Sequence, residues 1–207
     1  MRCKIMTCKC NNRKETRIKE ILDAALICFA EKGYYETTID DIVKKSGLCK
    51  GGIYWYFKSK RDIFIGLIDR FLDEDQKLWQ NTLENTKLKT GALKNIGLIF
   101  IKKFTENKHK AAFFAEVREA AYRDSVIREK IEKSHNDWHS VITKSLDFAI
   151  KHKLIRSNID TKELAIGVAS IIKGTMDQYW FCEKKFDYEK HWEFMANMIS
   201  SYLEKEN

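Results

Sequence analysis

The sequence predicts an all-α protein of about nine helices, with an N-terminal three-helix helix-turn-helix domain ahead of a C-terminal helical bundle. Three observations support this. The 207 residues include no proline and only nine glycines, where an average chain of this length carries roughly ten prolines, so long helices with short connections fit better than sheets with many turns. Apolar residues recur at intervals of three and four, and period-two alternation persists nowhere. The net charge of +8 is also uneven: residues 1–62 hold 14 Lys and Arg against 8 Asp and Glu, while the remainder holds 24 against 22. Such asymmetry places a small polyanion-binding module in front of a near-neutral body.

Taken in order, residues 1–14 carry five cations and no acid, which predicts a flexible basic arm over 1–15. From Thr16 to Glu31, Ile18, Ile21, Leu22, Ala25, Leu26 and Phe29 form one helical stripe, and Gly33 is a good stop for it. Thr37 or Thr38 caps a second helix with Asp40 and Asp41 in its first turn; Ile39, Ile42 and Val43 are its inner face and Gly47 its end. A short third helix starts near Cys49 and fades at Phe57. Ser59 caps a fourth that reaches about Trp79. Further periodic segments follow at about 89–105, 109–121, 124–152, 161–183 and 188–204, broken at Gly91, Lys108, Arg123 and "RSNID". The expected organisation is an arm at 1–15, a helix-turn-helix domain at 16–62 and a larger helical domain at 63–207.

Several classes of function find no support. The N-terminus lacks the apolar run of a secretory signal, and the longest uncharged apolar run, Leu164–Ile172, is well short of the roughly 18–20 residues of a membrane span. The six cysteines are irregularly spaced, which suits a cytoplasmic protein with reduced thiols and no membrane partner. No nucleophile–base pair, phosphate-binding glycine loop or catalytic carboxylate pair stands out, so no enzyme activity and no cofactor are expected. His135 and His139 are an i, i+4 pair, and Cys3, Cys8 and Cys10 cluster in the arm. Neither set has the supporting ligands of a metal site, so no metal is assigned.

The stretch "SGLCKGGIYWYFKSKRDIF", Ser46–Phe64, asks for a different explanation. Each glycine inside a helix costs about 1 kcal/mol relative to alanine, and four consecutive aromatics cannot all face one core. Two short helices joined at Gly47 behind a longer one make a helix-turn-helix, with Ile21, Phe29, Ile42, Leu48, Ile53 and Tyr56 turned inward. The second helix of such a pair must approach DNA closely. Gly51 and Gly52 remove the side chains that would collide, Lys50 adds a cation beside the exposed N–H groups, and the Tyr54 and Tyr56 hydroxyls reach phosphate while their rings pack. Lys60 opens the next helix at backbone-contact distance.

"TTIDDIVKKSGLCKGGIYWYFKSKRDIF" resembles the DNA-binding signature of the TetR (tetracycline-repressor-like) family of bacterial transcriptional regulators, over about residues 16–66. The resemblance implies a homodimer that occupies a palindromic double-stranded DNA operator and leaves it when a small molecule binds in a divergent C-terminal ligand and dimerisation domain. By motif position it makes Thr38, Lys50, Tyr54, Tyr56 and Lys60 backbone contacts, and sets Gly51, Gly52 and Trp55 where base or groove contacts fall. Cys49 stands where the family commonly has a serine cap, Gly52 where a hydroxyl or methyl is frequent, and Trp55 where histidine or tyrosine is common. The bases read are therefore left open. Beside Lys50 and a helix N-terminus, the Cys49 thiol is also a candidate for oxidation.

In the larger domain the resemblance puts a cavity between the central helices, for an apolar or aromatic effector. The candidate lining is Phe100, Phe104, Phe114, His135, Trp138, Met176, Gln178 and Tyr179, with Asn136 and Asp177 as further polar groups. "LAIGVASIIKGTMDQYW" is apolar nearly all round, as a helix buried on two sides is. The resemblance pairs it and the last helix with their copies across a two-fold axis, through Gly167, Ile171, Gly174, Trp192, Met195, Met198, Ile199 and Tyr202. The alternative function is a helical small-molecule or metal-binding protein with only non-specific DNA or membrane contact.

Overall fold

The computed structural model describes residues 3–85, 92–182 and 187–204, and every regular element among them is a helix. These are α1 (Cys3–Lys32), α2 (Ile39–Ser46), α3 (Lys50–Tyr56), α4 (Lys60–Asn85), α5 (Ala92–Thr105), α6 (Lys108–Ala121), α7 (Ser125–Lys151), α8 (Thr161–Phe181) and α9 (Tyr188–Leu203). From Cys3 onward the segment expected as a flexible arm is helical, because neither glycine nor proline stands before Gly33 to interrupt α1. For the same reason α4 continues past Trp79 through "QNTLEN". Gly33 and Gly47 close α1 and α2 at φ +81° and +69°, a left-handed conformation that costs glycine nothing and a branched residue a great deal.

The contacts divide the chain into two units: residues 1–75 with 112–127, and residues 76–111 with 128–207. The division falls inside α4, α6 and α7.

The first unit has an aromatic centre. The Phe29 ring meets Phe64 edge-on at 5.2 Å, and Phe64 meets Phe113 at 5.0 Å. Phe71 joins through Phe113 at 5.8 Å. Ile21, Ala25, Ile42, Ile53, Ile63, Leu67 and Ile68 are fully buried with them, so α1, α2, α3, α4 and the later part of α6 share one core.

The second unit is organised by indoles. Trp79 lies 4.2 Å from Phe100 and 4.7 Å from Trp138, and the core continues through Ile101, Ile142, Ala165, Val168, Ile172 and Ala196. Trp192, expected on a dimer face, is instead wholly enclosed. Its Nε1 donates to the Lys94 carbonyl at 2.7 Å, and its ring lies against the bare backbone of Gly97. A large apolar side chain with one donor is best buried where that donor finds an acceptor. Ile199, on the same stripe of α9, is buried as well.

A methyl group at Gly97 would stand 1.9 Å from Cζ2 of Trp192. Gly97→Ala is therefore expected to lower the unfolding free energy by about 3 kcal/mol through overpacking. Urea unfolding measures it, and adding Trp192→Phe should return part of the loss.

Candidate nucleic-acid interface

Helix α2 begins with a reciprocal cap. The Asp41 N–H donates to Thr38 Oγ1 at 3.1 Å, while Asp41 Oδ2 accepts from the Thr38 N–H at 2.9 Å and from its hydroxyl at 2.7 Å. Both donors of Thr38 are thus committed to Asp41. The structure makes this residue the cap of α2 rather than a hydroxyl donor to phosphate. Lys32 pairs with the other oxygen of Asp41. That ammonium, then the Thr38 hydroxyl and N–H, hold the carboxyl well below its usual 3.8.

At the far end Gly47 N–H donates to Val43 carbonyl at 3.0 Å, and Ser46 Oγ accepts from Leu48 N–H, which sets the turn. Helix α3 follows, seven residues long, with Cys49 in extended conformation at its N-cap and no side-chain bond to the first turn. A thiol is a weak acceptor, so this absence follows from the residue type. Ile53 is buried and holds α3 inward. The Phe57 ring closes the helix by lying over Gly66 of α4, where a Cβ would stand 3.0 Å from its Cε1.

The outer side of α3 has a simple composition. A Cβ at Gly51 would meet nothing within 4 Å, and one at Gly52 only the Cys49 sulfur at 3.3 Å. Tyr54 is 45% exposed and Trp55 84% exposed. Tyr56 is half-buried. Lys50 Nζ lies 2.8 Å from Asp40 of α2, and that carboxylate raises its pKa. Both groups remain largely in water, where such a pair is weak and yields readily to phosphate.

Lys60 is different. Its Nζ donates to the Tyr34 carbonyl at 2.7 Å and the Tyr35 carbonyl at 2.9 Å, and lies 4.8 Å above the Tyr34 ring. Burial pushes its pKa below 10.5. The expected phosphate lysine is a strut joining the start of α4 to the loop between α1 and α2, because two carbonyls and an aromatic face converge within reach of its ammonium.

Four residues that periodicity did not single out anchor the segment 112–127 to this unit. Glu116 Oε2 accepts from Tyr34 N–H at 2.6 Å. Arg61 grips Asp124 through Nε at 2.7 Å and Nη2 at 3.0 Å, and Asp124 in turn caps α7 by accepting from the Val126 and Ile127 N–H groups. Arg123 reaches Glu119 and the Tyr35 hydroxyl. "DS" before a helix was a readable capping signal for Asp124; nothing in the order of residues tied it to Arg61.

The pocket candidates do not form one set. Phe114 belongs to the first unit, its ring 5.8 Å from Phe71 and 5.9 Å from Phe113. Phe100 and Trp138 are packed on each other in the second unit at 4.9 Å. Phe104, Met176 and Tyr179 are half-buried there, while Gln178 is exposed. His135, expected to face the bundle, is exposed at the edge of the Ile131–Trp138–Ile142 stripe; its Nε2 is 2.9 Å from Lys173 Nζ, an arrangement that uses the neutral ring as acceptor. Among the described residues no group of three potential metal ligands occurs; the side chains of Cys3, Cys8 and Cys10 lie outside them.

On α8 and α9, added Cβ atoms at Gly167 and Gly174 would meet nothing within 4 Å, and Met198 and Tyr202 are exposed. Ile171 and Met195 are half-buried. Ile166 and Phe194 are exposed beside them. Phe194 was legible as the first member of an i, i+4, i+8 series with Met198 and Tyr202, adjacent to the buried stripe of Trp192, Ala196 and Ile199.

A capped helix, a glycine turn and a short helix with open glycines and outward aromatics define a helix-turn-helix DNA-binding regulator. Residues 21–67 match the model of the bacterial regulatory proteins, tetR family. The chain is 26% identical over 198 residues to the HTH-type transcriptional regulator AcrR of Shigella flexneri, covering 92% of this chain and 90% of that one. It is 25% identical over 177 residues to the fatty acid metabolism regulator protein of Bacillus subtilis, covering 84% and 89%. The crystal structure of the regulator FadR from Bacillus subtilis, in complex with stearoyl-CoA, superposes with TM-score 0.75 at 21% identity over 89% of this chain and 96% of that one. These relatives are transcriptional regulators rather than enzymes. Among the described residues no helix is long and apolar enough to cross a membrane.

Two outcomes follow. The folded Asp41 carboxyl binds its proton at lower pH than the unfolded one, so its contribution to stability is complete above about pH 5 and is lost as pH falls through and below the ordinary carboxylate range. Thermal melts from about pH 6 down to about pH 2.5 should show a shallower acid decline in Asp41→Asn than in the wild type. Lys60→Met should destabilise the DNA-free protein by about 1–2 kcal/mol, the value of its bonds to two carbonyls; a lysine serving only phosphate would leave urea unfolding unchanged.

Proposed function

We propose that the protein is a homodimeric repressor that holds a palindromic operator and releases it when an apolar or aromatic small molecule binds its C-terminal domain. The observation that carries this is the outer face of α3, where open glycines and outward aromatics are offered on a helix fixed by a capped α2 and by the aromatic core. Residues 16–62 are the DNA-binding domain in this account and 63–207 the effector and dimerisation domain, in a cytoplasmic protein without catalytic activity.

One seven-residue helix spans too few base pairs for specificity, and two half-sites about 34–36 Å apart multiply it. Ile166, Phe194, Met198 and Tyr202 expose apolar surface on α8 and α9, of the kind that a second copy covers. The apolar and aromatic side chains of Phe100, Phe104, Trp138, Met176 and Tyr179 in the second unit favour a hydrophobic effector. The stearoyl-CoA held by the Bacillus subtilis regulator places long acyl chains among those worth trying first.

Fluorescence anisotropy on duplexes flanking the protein's own gene, against excess unrelated DNA, is the test. Competitor-resistant binding about 10³-fold above bulk DNA is expected. Lys50→Ala and Tyr54→Ala should each weaken it about tenfold while helicity is kept. Binding that vanishes with competitor and collapses with modest salt would leave phosphate attraction alone.

A further inference from the structure

The outward face of α3 is formed by Gly51, Tyr54 and Trp55, at i, i+3 and i+4. Its first turn is bare, since a Cβ on Gly51 would meet no atom within 4 Å. One turn on, Trp55 is 84% exposed, an exposure rare for the largest apolar side chain and without benefit to the core that Ile53 anchors. The whole of α3 reads KGGIYWY. It contains no Arg, Asn, Gln, Asp, Glu, Ser or Thr, so Lys50 at its first position is its one charged or amide side chain of the kinds that pair with guanine, adenine and cytosine edges in the major groove. That lysine stands at the N-terminal end of the helix, 2.8 Å from Asp40 in the free protein, where it is the phosphate contact assigned above rather than part of the Gly51–Tyr54–Trp55 face. What this face presents to base edges is aromatic carbon with the Tyr54 hydroxyl beside it. The major groove carries one apolar feature that matches, the 5-methyl group of thymine.

We propose that the protein selects its operator chiefly by thymine methyl groups read by Trp55, with Tyr54 alongside, rather than by hydrogen bonds to guanine or adenine. This rests on the reading of the protein as a sequence-specific DNA binder. The bare backbone at Gly51 lets α3 sit deep enough for the indole to cover a methyl and expel its water. Each half-site is then defined by the positions of its thymines, and cytosine, which lacks the 5-methyl group and carries an amino group in place of O4, is rejected for lack of contact.

A random duplex pool enriched by repeated binding to the full-length protein supplies the probe. Each thymine of the enriched half-site is replaced in turn by deoxyuridine, which deletes the methyl and keeps the pairing. One or two positions per half-site should lose about fourfold in affinity, as expected for one buried methyl group. At those positions 5-methylcytosine should bind better than cytosine. Trp55→Ala should bind the thymine and deoxyuridine duplexes equally, and Trp55→Phe, which keeps a ring at the site, should retain part of the preference. Wild-type protein that binds every deoxyuridine duplex as tightly as the parent, while still preferring it to bulk DNA, overturns the thymine reading alone. So does a deoxyuridine penalty that survives in Trp55→Ala. A pool that yields no enriched sequence overturns specific DNA binding itself.

Discussion

The orientation of a helix seven residues long rests on the aromatic packing around Phe64. So short a helix has no independent stability in water, and its direction is set by what it is fastened to. Ile53 ties its middle into the buried core. The Phe57 ring ties its end to α4, where Gly66 leaves room for it. Beside that junction Phe64 meets Tyr34 at 4.3 Å, Phe113 at 5.0 Å and Phe29 at 5.2 Å, so α1, the loop after it, α4 and α6 meet at one ring. Aromatic pairs of this kind, tilted or edge-on, add about 0.5–1.5 kcal/mol each beyond the area they bury. They also resist rotation, which is what the direction of α3 requires.

The basic excess of the first 62 residues separates, on folding, into two populations. Lys60 is bonded to two carbonyls, Lys32 braces the cap of α2, and Arg61 is bidentate to Asp124. These cations hold the unit together. Lys50 remains at the surface beside α3, paired only loosely with Asp40, and Lys58 is exposed. Charge totals cannot make this distinction, because a lysine in a chain of given composition is equally a strut or a phosphate contact. The distance to a buried acceptor decides it.

In the second unit the same division runs through the apolar residues. Trp192, Ala196 and Ile199 turn inward on α9, while Phe194, Met198 and Tyr202 turn outward. Periodicity found the stripe and the family resemblance put Trp192 and Ile199 on a dimer face, since two adjacent stripes of one helix are both apolar. Their assignment depends on Gly97, whose missing side chain admits the Trp192 indole, and on the Lys94 carbonyl that accepts the hydrogen bond of its N–H. Both lie on α5, about a hundred residues away in the chain.

All-helical architecture, the end of α1 at Gly33, the turn at Gly47 and a cap at Thr37 or Thr38 were legible in the order of residues, because each depends on backbone preferences and neighbours within a turn or two. So was the chemistry of α3: a stretch with two glycines and consecutive aromatics cannot be explained by burial on one side. Contacts between distant segments were not legible. That residues 112–127 pack with the helix-turn-helix, that Glu116 and Asp124 tie down Tyr34 and Arg61, that Lys60 bonds two carbonyls and Trp192 is enclosed, all arise from groups brought together across 25 to 98 positions. Local preference acts through bonds and near neighbours and is written in residue order; the partner of a long side chain is chosen by packing, and packing exists only once the chain has closed on itself.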